Sequence, residues 1–163
     1  MKHTEVIEFL QRKKEQIDEY LLNNLPSDHE RAEIKQLYDI MRSHPVQGGK
    51  GLRSAFCMLI CEAFGGNPDD ALNTAACLDL LENWLIIHDD IEDGSDIRRG
   101  KPCLYYQYGV PIAINVGDAL HCQMWKLLQQ NTATLGPELT LRILSEFTRA
   151  SDETIDFVIE REY

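Results

Sequence analysis

A chain of 163 residues, 44% hydrophobic and 26% charged, is long enough for one domain with a real core. Its formal net charge of −11 argues against a general nucleic-acid binder, which needs a basic footprint, and against docking on anionic lipid by charge alone. Five cysteines, Cys57, Cys61, Cys77, Cys103 and Cys122, form no CxxC pair and fit no zinc-finger or ribbon spacing, so they read as buried free thiols in a reducing compartment.

The first ten residues are polar and alternate in charge, without the apolar core of a signal peptide. No apolar run nears the ~20 residues that span a bilayer. A cytoplasmic location is the simplest expectation. Val6, Ile7, Phe9, Leu10, Ile17, Tyr20, Leu21 and Leu22 fall at helical spacing and predict a helix over Thr4–Leu22. Pro26, with Ser27 and Asp28 behind it, stops that helix and caps the next, which holds Ala32 to Met41 and ends before Pro45.

The glycine-rich loop Val46–Gly51 precedes a helix from about Leu52 to Ala63. That helix is apolar around most of its girth, which predicts burial on several sides. Gly65, Gly66, Asn67 and Pro68 close it. A long helix is expected from about Asp69 to Asp93, and a loop from Gly94 to Pro111 with a short helical turn at Leu104–Tyr108. Ile112 to Gln130 reads as helix, Thr132–Pro137 as a break and Glu138–Tyr163 as helix again. No stretch alternates like a strand and nothing repeats. The expected class is all-α, with at least six helices around one core.

Three motifs carry chemistry. In His88–Asp93, H-D-D-I-E-D, the carboxylates of Asp89 and Asp93 lie one helical turn apart on one face, with Asp90 on the adjacent flank. Glu92 and Asp96 add to the acidic knot. Mg²⁺ is typically held by one or two carboxylates together with substrate phosphates, and a helix C-terminus favours cations. The plain alternative is a solvated acidic helix end. Arg98 and Arg99, in R-R-G-K-P, either clamp a diphosphate through paired N–H donors or neutralise the acidic knot. Lys50 and Arg53, in G-G-K-G-L-R, stand at a helix start that suits an anion. No strand precedes them, so the loop is not a Walker A motif.

In this order the motifs resemble the trans-isoprenyl diphosphate synthases, or polyprenyl synthetases, over about Gly48 to Leu120, including A-I-N-V-G-D-A-L at Ala113–Leu120. The resemblance implies the isoprenoid synthase (terpenoid synthase) helical bundle. It implies a prenyltransferase that uses Mg²⁺ to ionise an allylic diphosphate, whose cation is attacked by the double bond of isopentenyl diphosphate in 1'-4 head-to-tail elongation. Asp89 and Asp93 would be the Mg²⁺ ligands, with Asp90 in the same shell or just behind. Arg98 would hold the allylic diphosphate, and Lys50, Arg53 and Arg99 that of isopentenyl diphosphate.

Glu82 stands where the family usually has His or Gln against that second diphosphate. An ionised carboxylate would repel the ligand, so Glu82 is protonated, or salt-bridged to Lys50 or Arg53, or the site is altered. Gly51, Ser54 and Tyr105 stand where many members have Arg, Pro and His. Trp84, five before Asp89, and Leu85, four before it, fall where relatives set product length. A bulky floor implies short C15–C20 products.

Family chains are about twice as long and carry a second aspartate-rich motif. Asp152–Asp156, D-E-T-I-D, is a loose match to GQxxD. Residues 1–163 are therefore expected to be the N-terminal part of a single polyprenyl synthetase domain, about half of the bundle, inactive alone and homodimeric as the family generally is. The competing readings are a non-catalytic regulatory relative and a terpene cyclase of the same fold. Lys50, Arg53 and Arg99 favour elongation over cyclisation.

Overall fold

A computed structural model describes residues 3–162, with side chains over 5–157. Helix α1 (His3–Asn24) buries Ile17 and Leu21, one turn apart, and α2 (Ala32–Ser43) buries Ile40 and Met41. Ser27 and Asp28 do not cap α2, contrary to expectation. Its N-cap is Arg31, with no side-chain cap. The extra residues between Pro26 and the helix put both upstream, where the Ser27 carbonyl and the Asp28 carboxylate face Lys35 Nζ at 3.2 and 3.6 Å.

α3 (Leu52–Ala63) has the predicted bounds but not the predicted burial. Ser54, Ala55 and Met58 are buried, whereas Leu52, Phe56, Ile60 and Phe64 form an exposed stripe at four-residue spacing. The helix meets α4 and α1 with one face only. After a 3-10 turn at Pro68–Ala71, capped by the Asn67 side chain, α4 (Leu72–Glu92) runs through the centre. Ala76, Leu80, Asn83, Ile87 and Asp90 mark its innermost face at alternating four- and three-residue steps.

The predicted loop after α4 contains a small hairpin. Strands β1 (Ile97–Arg98) and β2 (Lys101–Pro102) pair antiparallel. Arg99 (φ +54°) and Gly100 (φ +76°) both take the positive φ that a tight two-residue turn of type I′ requires. α5 (Leu104–Tyr108) matches the expected short turn. α6 (Val110–Glu162) is interrupted only at Gly136 (φ 77°, ψ 166°), so the expected break at Thr132–Pro137 shrinks to one residue. Pro137, which has no N–H to give, sits where the second arm restarts and needs none. The first arm of α6 packs along α4 through Val116, Leu120, Met124 and Leu128, all fully buried.

All five cysteines are free. Cys77 and Cys103 are buried and Cys57 and Cys61 half-buried, but Cys122 is exposed, against expectation. It falls midway between the core positions Leu120 and Met124 and so projects from the opposite side of α6.

Candidate functional site

The C-terminal half of α4 has two chemically different sides. On one, Glu82, Leu85 and Asp89 recur at helical spacing and face Arg53 of α3 and Phe157 of α6 across a cavity of about 520 Å³. Leu78 and Leu81 continue its wall as apolar surface. Arg53 Nη1 meets Glu82 Oε1 at 2.7 Å. Of the three possibilities open for Glu82, the geometry contains the salt bridge, and to Arg53 rather than Lys50.

On the other side, Asp90 is buried with its side chain 3% exposed. The hairpin turn at Arg99–Gly100 reverses the chain and returns Arg98 to it. Arg98 donates from Nε and Nη2 to Asp90 Oδ1 at 2.7 and 2.5 Å. The Asp90 hydrogen bond raises the Arg98 pKa despite desolvation. Burial, then the same carboxylate, pushes the nearby Cys103 thiol up to about 11. Arg98 thus pairs with Asp90 of the acidic knot, and Asp90 faces the hairpin while Asp89 lines the cavity on the other side. Asp93 is the exposed C-cap of α4, and its N–H donates to the Asp89 carbonyl at 2.8 Å.

Arg99 turns to the glycine loop. Gly48 (φ +121°) and Gly49 (φ +105°) adopt backbone that disfavours other residues, and a Cβ on Gly49 would stand 3.1 Å from Arg99 Cζ. The guanidinium therefore rests on the loop, with Nη1 3.4 Å from Asn83 Oδ1. Beside it His44 is buried, with no hydrogen-bond partner for Nδ1 among the described residues. Burial first, and then Arg99, lowers the His44 pKa to about 4.

A buried brace holds the loop from behind. Lys14 of α1 pairs with Asp18, donates to the Pro45 carbonyl at 3.1 Å and approaches Asp79 Oδ2 at 3.8 Å. Ser54 donates to Asp79 Oδ1 at 2.6 Å. Burial raises the Asp79 pKa, against the opposing pull of Ser54 and Lys14. Gly51, the left-handed N-cap of α3, leaves room for the Lys14 stem, 2.8 Å from where its Cβ would be. Lys50 lines a separate groove of about 540 Å³ along α1 with Lys14 and Gly49. Lys50, Arg53 and Arg99, expected around one diphosphate, thus line three different hollows.

Trp84 and Leu85 line a cavity of about 140 Å³ with His88, Asp89, Thr154 and Ile155. The Trp84 ring stacks on His121 at 4.0 Å and 10°, and Trp125 Nε1 donates to His121 Nε2 at 2.8 Å. Burial lowers the His121 pKa. His88 seats against α6 at Gly117, where a Cβ would come 2.6 Å from Nε2.

His44, Lys14, Asp79, Asn83 and His121 were not singled out from sequence. Only Gly117, a glycine inside a helix and within the A-I-N-V-G-D-A-L motif, carried a signal of close approach.

Among the described residues no three His, Cys, Asp or Glu side chains converge as a metal cage. Asp89 and Asp93 instead offer hard oxygens one turn apart. This fits Mg²⁺, which commonly takes few protein carboxylates and completes its shell with water and phosphate.

A family model described as Polyprenyl synthetase matches residues 34–156. A geranylgeranyl diphosphate synthase of Sulfolobus acidocaldarius is 32% identical over 129 residues, 79% of this chain and 39% of that protein. A dimethylallyltranstransferase of Fischerella ambigua is 31% identical over 145 residues, 88% of this chain and 41% of that protein. The crystal structure of geranylgeranyl pyrophosphate synthetase from Pyrococcus horikoshii superimposes with a TM-score of 0.87 at 31% identity, covering 96% of this chain and 46% of that one. The chain thus spans less than half the length of these relatives. Helical architecture, the order of the aspartate and arginine motifs and the matched span agree, and the chain belongs to the polyprenyl synthetase family.

Proposed function

We propose that this chain carries the diphosphate- and metal-binding wall of a trans-prenyltransferase that condenses isopentenyl diphosphate with an allylic diphosphate to a short C15–C20 isoprenyl diphosphate. One observation carries the reading: Asp89 and Arg53, with Glu82, line one cavity whose other walls are mostly apolar, including Leu78, Leu85 and Phe157. A diphosphate head needs the first environment and a prenyl tail the second. The names of the Sulfolobus and Fischerella relatives support the same chemistry.

Asp89 and Asp93 would hold Mg²⁺, with Asp90 behind them anchoring Arg98. Bound Mg²⁺ would supply positive charge to the diphosphate as its C–O bond breaks. Arg53 would supply N–H donors to the second diphosphate, and Lys50 and Arg99, which line other hollows, would join it only by swinging toward this cavity. The apolar walls exclude water from the allylic cation until the isopentenyl double bond forms the new C–C bond and a proton leaves. Trp84 and Leu85 would form the floor that limits the tail.

In the family's longer chains, residues 1–163 would be the N-terminal part of one domain, active only as part of a homodimeric, cytoplasmic enzyme. Among the described residues no helix is long and apolar enough to cross a membrane. The test is product formation by the full-length protein with Mg²⁺. Asp89→Asn should lower turnover at least ~100-fold, as removal of a group stabilising transition-state charge does. Trp84→Ala should lengthen the product, and unchanged length would reject Trp84 as the floor. The second reading, a non-catalytic regulatory relative, is favoured by the Arg53–Glu82 ion pair. Turnover by the complete protein would exclude it.

A further inference from the structure

Lys14 reaches the glycine loop from α1, a helix that carries none of the residues expected at the site. Its ammonium pairs with Asp18 one turn along α1, donates to the Pro45 carbonyl at 3.1 Å where the loop begins, and approaches the buried Asp79 carboxylate of α4 at 3.8 Å. At the other end of the loop, its stem occupies the space that a Cβ on Gly51 would need. Asp79 in turn accepts from Ser54 at 2.6 Å, and Ser54 follows Arg53 in the first turn of α3. One side chain thus ties both ends of the loop together and, through Asp79, to the helix that carries Arg53. Such a tie matters where the backbone is free. Gly48, Gly49 and Gly51, three of the four residues before α3, all sit at positive φ and lack the restraint a side chain gives. Although Lys14 borders the groove of Lys50, its side chain is 13% exposed and two carboxylates, Asp18 and Asp79, already face its ammonium. Its charge is balanced inside the protein, so what it contributes to the site is position.

We propose that Lys14 is a positioning residue for the second diphosphate: from α1 it fixes the glycine loop and the start of α3, and so sets where Arg53 stands on the cavity wall. The inference rests on the reading of that cavity as a diphosphate site with Arg53 as a donor. It assigns Lys14 a role through Arg53 and no contact with the ligand.

Steady-state kinetics on the full-length protein with Mg²⁺ test it, with isopentenyl diphosphate and the allylic diphosphate varied in turn. Lys14→Met keeps the stem and removes the ammonium. It should raise KM for isopentenyl diphosphate about five- to tenfold, the loss expected when a charge-assisted hydrogen bond is misaligned. Both kcat and KM for the allylic diphosphate should stay within about twofold. Lys14→Met also takes a cation from the buried Asp79 carboxylate. Adding Asp79→Asn removes that charge and keeps an oxygen for Ser54, so the double variant should melt close to wild type yet retain the raised KM. A role in stability alone would let KM return. If Lys14→Met misfolds, the double variant takes its place. On an Arg53→Met background, Lys14→Met should add less than about twofold, because its effect passes through Arg53. An unchanged KM for isopentenyl diphosphate, an equal rise in both KM values, a KM that returns in the double variant, or effects of Lys14→Met and Arg53→Met that add in full overturns the assignment of Lys14 and leaves the diphosphate site standing. A KM for isopentenyl diphosphate that Arg53→Met itself does not move, or a wild type without turnover, overturns the diphosphate reading, and this inference with it.

Discussion

Two ion pairs flank the end of α4, and they differ in almost every respect. Asp90–Arg98 is sealed on the carboxylate side, with Asp90 3% exposed and two short contacts from a guanidinium delivered by the β1–β2 hairpin. Arg53–Glu82 is open, joins two helices through flexible side chains and borders a cavity of about 520 Å³. A buried charge that loses its partner is left without solvent or counter-ion, whereas an exposed one is taken up by water. The sealed pair is therefore architecture, and the open pair can exchange its partner for a ligand. Two arginines that look interchangeable as phosphate binders in the sequence differ by where their carboxylates are buried.

The hardest test of that contrast is Arg98→Met, which strands the Asp90 carboxylate. It should cost about 3 kcal/mol, near the lower bound for breaking a buried pair because Arg98 itself is 39% exposed. Urea unfolding would measure it, and a loss below 1 kcal/mol would erase the distinction between the pairs. The sealed side also contains His44, whose folded pKa of about 4 lies below its ordinary value of 6.5. The unfolded chain binds the proton more readily, so this stability is fully present above pH 6.5 and is lost as pH falls toward 4. The expected loss is about 3 kcal/mol. Thermal melts across that window should fall less steeply for His44→Gln than for wild type.

Next comes the contact of Trp84 and His88 with α6. Gly117→Ala should cost about 1–3 kcal/mol, because its methyl must displace His88 from α6. The same variant should weaken the Trp84–His121 stack, which tryptophan fluorescence can follow. The smallest effect belongs to the open pair. Glu82→Gln should change stability by less than about 1 kcal/mol. A larger loss in the same urea experiment would make this pair architecture too.

Much of the fold was legible because helical periodicity and breakers are local. The bounds of α3 and α5 follow from Gly51, Ala63, Leu104 and Gly109, where backbone preference changes within one or two residues. Burial of α3 was not legible. Its apolar stripe at Leu52, Phe56, Ile60 and Phe64 is exposed, and composition does not say which neighbours are present. The cap expected at Ser27 and Asp28 failed because capping depends on the residue at which the helix starts.

By itself the amino-acid sequence determined the all-α class and the family, since residue type and spacing along the chain carry both. Only the tertiary structure decided the pairing. Asp89 and Asp90 are adjacent in the chain, yet the helix turns them about 100° apart, one toward the cavity and one toward the hairpin. Lys50, Arg53 and Arg99 share a sign, yet the left-handed glycines, the Lys14 brace and the turn at Arg99 send them to different hollows. Which carboxylate each cation meets depends on contacts between elements far apart in the chain, and short-range spacing contains no information about those.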